Sequence, residues 1–175
     1  VVSRGDADLA AGASGPVVKV LAREGDRVKA GDVLLEVDSA LASAQYASAD
    51  AGVSEAEASL SLARSDFARL EEVGGDVLAK REVDGGRAQV AQLEARLSAQ
   101  EAALRLAGER LRRHKVKAPF AGVITQRLVD PGDWVQEGQG VMAIVSAEEV
   151  EVRVNVSPEI ARGLKEGDGV GIHGG

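Results

Sequence analysis

Residues 15–37 read GPVVKVLAREGDRVKAGDVLLEV, and residues 122–144 read GVITQRLVDPGDWVQEGQGVMAI. The two stretches match at a single offset of 107 residues, which sets Gly15 on Gly122, Gly25 on Gly132 and Gly31 on Gly138. Val17 and Ile124, Leu21 and Leu128, Asp26 and Asp133, Val28 and Val135, and Val37 and Ile144 follow the same offset. A half-motif present twice predicts one small β domain made of two similar halves. Within the first copy, Val17, Val18, Val20 and Leu21 precede a Glu24-Gly25-Asp26 turn. Val28 sits between that turn and Ala30-Gly31-Asp32, and Val33–Val37 form a further strand. Glycine supplies the left-handed backbone of such turns, and aspartate bonds the neighbouring main chain. The second copy repeats the layout over 116–146. There Trp134 takes the place of Arg27, and it reads as a packed hydrophobe rather than a ligand-stacking ring.

The interval between the copies has a different period. From Ala40 to Val73 there is no proline and one glycine. Tyr46, Val53, Leu60 and Phe67 recur every seventh residue, with Ala49, Ala56, Ala63 and Leu70 three residues after them. Val83, Val90, Leu97, Leu104 and Leu111 make a second heptad row, joined by Leu93 and Ala107 and interrupted by Gly86 and Gln100. Sustained heptads predict a coiled coil, with helices over about 40–73 and 80–114. Each arm is about 50 Å long at the α-helical rise. Gly74-Gly75 breaks the pattern, so equal arms and a short connection predict an antiparallel hairpin.

Composition narrows the function classes. Only 2% of residues are aromatic, so the core must be aliphatic. The net charge of −7 disfavours nucleic-acid binding, which needs a basic face. The insert, 39–115, balances 11 basic against 12 acidic residues, as a solvated helical surface does. There is no cysteine, which excludes disulfides and thiolate chemistry. No run of 18 apolar residues or signal peptide is present. The opening Val1-Val2 and the closing Gly174-Gly175 read as the ends of a trimmed or mature fragment. After Val145, the alternation of Val150, Val152, Val154 and Val156 with polar residues predicts a half-buried strand. Ser157-Pro158-Glu159 reads as a helix start reaching about Leu164, and Val170–Ile172 as a strand.

These residues resemble the membrane fusion proteins, the HlyD-like periplasmic adaptors of efflux pumps. Val116-Lys-Ala-Pro-Phe-Ala-Gly-Val-Ile-Thr-Gln-Arg-Leu-Val-Asp-Pro-Gly-Asp133 is similar to the family's return into its second lipoyl half-motif. Lys80-Arg81-Glu82-Val83-Asp84 resembles the start of its second helix, and Val150–Ile172 the start of its β-barrel. The resemblance implies an α+β, elongated, multi-module chain. Its parts are a split lipoyl-like β domain, an inserted antiparallel α-helical coiled-coil hairpin, and part of a β-barrel domain. The expected boundaries are 10–38 and 116–146 for the lipoyl-like halves, 39–115 for the hairpin, and 147–175 with 1–9 for the barrel.

The resemblance also implies a role: a periplasmic subunit of Gram-negative bacteria, held at the inner membrane by an N-terminal anchor absent from this chain. It would join an inner-membrane transporter, with the resistance-nodulation-division (RND) type favoured, to an outer-membrane channel of the TolC type. It would also self-associate into a ring, hexameric in the family. The contact surface is the hairpin tip: Arg69, Val73, Gly74, Gly75, Asp76, Val77, Ala79 and Lys80. The RND-type docking pattern wants Arg, Leu and Ser; Arg69 and Val73 take the first two places, and the third falls near Ala79.

Other readings stay open beside this one. An adaptor of an ABC-type exporter has the same architecture. A lipoyl or biotinyl carrier needs a lysine where this chain has Ser39. Metal binding has only His114, His173 and Met142 to draw on, without ligand spacing, and His114 reads as a cation at a helix C-terminus. No nucleophile, phosphate loop or carboxylate pair marks a catalytic site. The expectation is therefore a non-enzymatic protein without metal or cofactor.

Overall fold

The computed structural model describes residues 2–3, 6–73, 77–146 and 150–151. Two long helices occupy the interval between the repeats: α1, Ala40–Val73, and α2, Val77–Arg112. They run antiparallel as a hairpin. The second helix begins at Val77, three residues before the expected start. It also ends two residues early, because the His114 N–H bonds back to the Leu111 carbonyl at 3.2 Å and tightens the last turn. Lys115 is then already in a strand.

The strands are β1 (Val2–Ser3), β2 (Asp6–Ala10), β3 (Gly15–Val20), β4 (Arg27–Val28), β5 (Val33–Val37), β6 (Lys115–Lys117), β7 (Gly122–Arg127), β8 (Trp134–Val135), β9 (Gly140–Ser146) and β10 (Val150–Glu151). They form two four-stranded antiparallel sheets, ordered β2-β9-β7-β4 and β6-β5-β3-β8. Each copy of the repeat therefore lends its short middle strand to the other copy's sheet: β4 pairs with β7, and β8 with β3. The exchange is reciprocal down to single hydrogen bonds. Gly25 N–H donates to Ile124 O and Gly132 N–H to Val17 O, both at 2.8 Å, and each donor–acceptor pair maps onto the other under the 107-residue offset. Gly25 and Gly132 hold φ of 88° and 97° at these crossings, a region that a Cβ disfavours.

The repeat is longer than its visible identities. β2 pairs with β9 through Leu9↔Met142, and β6 pairs with β5 through Leu35↔Val116. These pairings are equivalent at the same offset, so β2 is the first strand of the first copy. Residues 6–9, expected with the partial barrel, thus belong to the split domain. Asp8-Leu9-Ala10 and Lys115-Val116-Lys117 share only one inward apolar residue, so the sequences carried no visible match. At the far end, β1 pairs antiparallel with β10. The expected helix near 157–164 and the strand at 170–172 lie outside the described residues.

The core of the split domain is aliphatic. Leu34, Leu35, Ile124, Val135, Val141, Met142 and Ile144 are fully buried, drawn from both copies. Burying each such side chain contributes about 1.5–3 kcal/mol. No hairpin residue belongs to this cluster. Ala56, Leu60 and Ala63 form a separate buried row within the helix pair.

Candidate functional site: the hairpin and its seat

The heptad rows predicted from sequence line the seam between the helices. Gly86 and Gln100, which interrupt the second row, are matched by their partners across it. A methyl group built on Gly86 would lie 2.9 Å from Phe67 Cδ2, so Gly86 is the hole that receives the ring. Gly52 stands opposite Gln100 in the same way, its added Cβ 2.9 Å from Oε1, and Gly108 lies against Tyr46. Ion pairs cross the outside of the seam: Arg64 to Glu94 at 2.7 Å and Arg96 to Glu55 at 3.1 Å. Both are exposed, and such pairs contribute about 0–1 kcal/mol.

At the free end, the chain reversal brings the C-terminus of α1 beside the N-terminus of α2. It thereby gathers the two groups of predicted tip residues, Arg69 and Val73 on α1 and Val77, Ala79 and Lys80 on α2. Gly74, Gly75 and Asp76 lie outside the described residues. Arg69 is exposed and held along its own helix: Nη2 pairs with Asp66 at 2.6 Å, and Nε donates to the Ser65 carbonyl at 3.4 Å.

At the other end, the hairpin sits on the split domain by main-chain bonds. Val37 N–H donates to His114 O at 2.8 Å, and Asp38 N–H to Pro16 O at 2.9 Å. Asp38 Oδ1 accepts from Ala40 N–H at 2.9 Å, and Ser39 O takes the first helical bond from Ser43 N–H. Ser39, at the position of a carrier lysine, therefore opens a helix and carries no amine for acylation. Gly12 is the closest point of approach: a Cβ there would lie 2.7 Å from Arg113 O. No sequence signal distinguished Gly12 from the other loop glycines. Arg113 also reaches Glu137 at 3.3 Å across the joint, beside an open cleft of about 320 Å³. His114 Nδ1 lies 2.9 Å from the Arg110 carbonyl, so that nitrogen carries the proton and caps the helix end.

No residue classed as buried is polar or charged among those described. The described residues also contain no cluster of three or more His, Cys, Asp or Glu able to hold a metal. The site is thus an exposed arm on an aliphatic seat.

Residues 6–147 match the family description RND MFP, barrel-sandwich hybrid domain. The chain belongs to the RND membrane fusion protein family. It is 30% identical over 155 residues to the multidrug resistance protein MdtA of Pectobacterium carotovorum, covering 87% of this chain and 38% of that protein. It is 29% identical over 141 residues to MdtA of Cronobacter turicensis, covering 79% of this chain and 34% of that one. The chain thus spans just over a third of the length of these curated relatives. In fold it is similar to MacA from Actinobacillus actinomycetemcomitans, with a TM-score of 0.71 at 19% identity, over 82% of this chain and 50% of that one.

Two features of this membrane fusion protein were not legible in its sequence. Trp134 does not pack: it is 67% exposed on β8, because its strand neighbour Val135 takes the inward position. The Arg127 guanidinium donates to Val129 O at 2.8 Å and pairs with Asp130, while Arg127 N–H donates to Glu24 Oε1 at 2.9 Å. Asp130 raises the Arg127 pKa above the ordinary arginine value. The cluster ties the turn of one copy to the strand of the other.

Proposed function

We propose that this chain is the central section of a periplasmic adaptor that acts as spacer and seal in a tripartite efflux assembly. It would stand between an RND-type inner-membrane transporter and an outer-membrane channel of the TolC type, anchored at the inner membrane by a segment outside this chain. The observation that carries the reading is an arm about 50 Å long built on a domain whose described core holds no polar residue. Such an object is suited to positioning partners, and the reading takes the adaptor as non-enzymatic, in keeping with the family it belongs to. The relatives named multidrug resistance protein support drugs as cargo. No described helix is long and apolar enough to cross a membrane. Cargo would pass through the bore of a ring, six-fold by family resemblance, without binding one residue.

The tip residues Arg69, Val73, Gly74, Gly75, Asp76, Val77, Ala79 and Lys80 would make the contact with the channel. The test is complementation of an adaptor-deleted strain with the full-length protein. Val73→Asp and Gly75→Trp should abolish drug tolerance while expression and helicity stay at the wild-type level. Undiminished tolerance in both variants would remove the tip as the docking surface.

A further inference from the structure

The helices of the hairpin hold glycines at 52, 85, 86 and 108. Three of these face a side chain across the seam: a Cβ on Gly52 would meet Gln100, on Gly86 Phe67, and on Gly108 Tyr46. Gly85 differs. It is exposed, and a Cβ there would meet nothing within 4 Å, so packing within the chain gives it no reason to be glycine. Each glycine lowers the weight of a helical segment about four- to fivefold against alanine, so two in succession lower it about twentyfold. Paired small residues of this kind are among the few local causes of a bend in a helix. The pair also stands where the seam thins. Ala56, Leu60 and Ala63 are buried, but Phe67 and Leu70, next toward the tip, are only half-buried. The ion pairs Arg64–Glu94 and Arg96–Glu55 cross the seam on the base side of the Phe67–Gly86 contact. The facing stretch of α1, from Val53 to Val73, contains no glycine or proline.

We propose that Gly85-Gly86 is a one-sided hinge, at which the 77–84 segment of α2 swings away from α1 while α1 stays helical to its end. That segment is about two turns long, and a helix so short does not persist in water on propensity alone. Its order comes from continuity with the rest of α2 and from its contact with α1, and the glycine pair weakens the first of these. Phe67 seated on Gly86 marks the last firm contact before the hinge. The arm is then a stiff shaft with a compliant end on one strand only. The use of the hinge rests on the adaptor reading: the shaft holds its length while the end adjusts to the partner it meets.

The test is amide hydrogen exchange on the full chain, with rates expressed as protection factors, which report local opening. The amides of 81–84 are compared with those of 69–72 on α1, which the Phe67–Gly86 contact sets at the same height. Protection at 81–84 should be about tenfold lower than at 69–72. Gly85→Ala should raise protection at 81–84 about two- to fivefold through helix propensity and leave 90–104 unchanged. Ser61→Ala, on the exposed face of the shaft, should leave 81–84 as in the wild type. Equal protection on the two helices would mean plain fraying from the turn and overturns the hinge. So does a Gly85→Ala variant that leaves 81–84 unaltered, or one that slows 81–84 and 90–104 alike. These outcomes are read on isolated protein and leave the adaptor reading intact, since that reading fails on the drug tolerance of cells carrying the tip variants.

Discussion

Gly85 and Gly86 are neighbours on α2 with opposite reasons to be glycine. A methyl group on Gly85 meets nothing within 4 Å, whereas on Gly86 it would meet Phe67. Gly85→Ala should therefore raise stability by about 0.5–1 kcal/mol through helix propensity alone. Gly86→Ala should fall at least about 1 kcal/mol below Gly85→Ala, because overpacking displaces the ring. Urea denaturation of the two variants followed by helicity checks this, and equal midpoints would refute the knob-and-hole assignment. On β7, a Cβ at Gly122 would lie 2.3 Å from the Val145 carbonyl oxygen, a main-chain atom that cannot step aside. Gly122→Ala should cost about 1–3 kcal/mol. Arg127 sets the sign of its own pH effect. Its pKa is raised by Asp130, so its stabilisation is present below the ordinary arginine value and is lost only as pH rises through the folded value. The Arg127–Asp130 pair should then show no arginine titration between about pH 5 and 9.

The hairpin and the split domain keep separate cores. Leu60 is 4% exposed within the helix pair and takes no part in the aliphatic cluster of the sheets. Truncating it to alanine should cost about 2–4 kcal/mol, and that loss should be local. Amide exchange should accelerate along α1 and α2 while β5, β7 and β9 keep their protection, as expected of separate cooperative units. Uniform loss of protection across both would show a single folding unit. The heptad rows were legible because their period differs from that of strands. Pairings such as Gly52 with Gln100 were not legible, since they depend on which residues the antiparallel register sets face to face.

At the scale of the molecule, the proposed adaptor role makes arm length the quantity to test. Removing one heptad from each helix, residues 57–63 and 89–95, keeps the hydrophobic rows in phase and shortens the arm by about 10 Å. The shortened protein should fold with wild-type cooperativity and fail to restore drug tolerance. Tolerance at the wild-type level would show that the arm does not set the spacing between partners. The chain reversal that forms the tip was foreseen from Gly74-Gly75, and it brings Arg69 and Val73 to the same end as Val77, Ala79 and Lys80. The seat at Gly12 and Arg113 was not foreseen, because its meaning comes from a backbone that approaches from 101 residues away.

By itself the sequence determined that two half-motifs flank a coiled-coil hairpin, because glycine turns, strand alternation and heptads are periodic local signals. It also sets Ser39, which has no amine, where the lipoyl resemblance would want a carrier lysine. Only the tertiary structure decided that each half lends two strands to the other's sheet, β2 and β4 from the first and β6 and β8 from the second. The same structure decided that β2 belongs to the repeat and that Trp134 faces solvent. Those outcomes depend on hydrogen-bond register between distant strands. A shift of one residue turns every side chain to the opposite face, and no local pattern in the chain records which register the two halves adopt together.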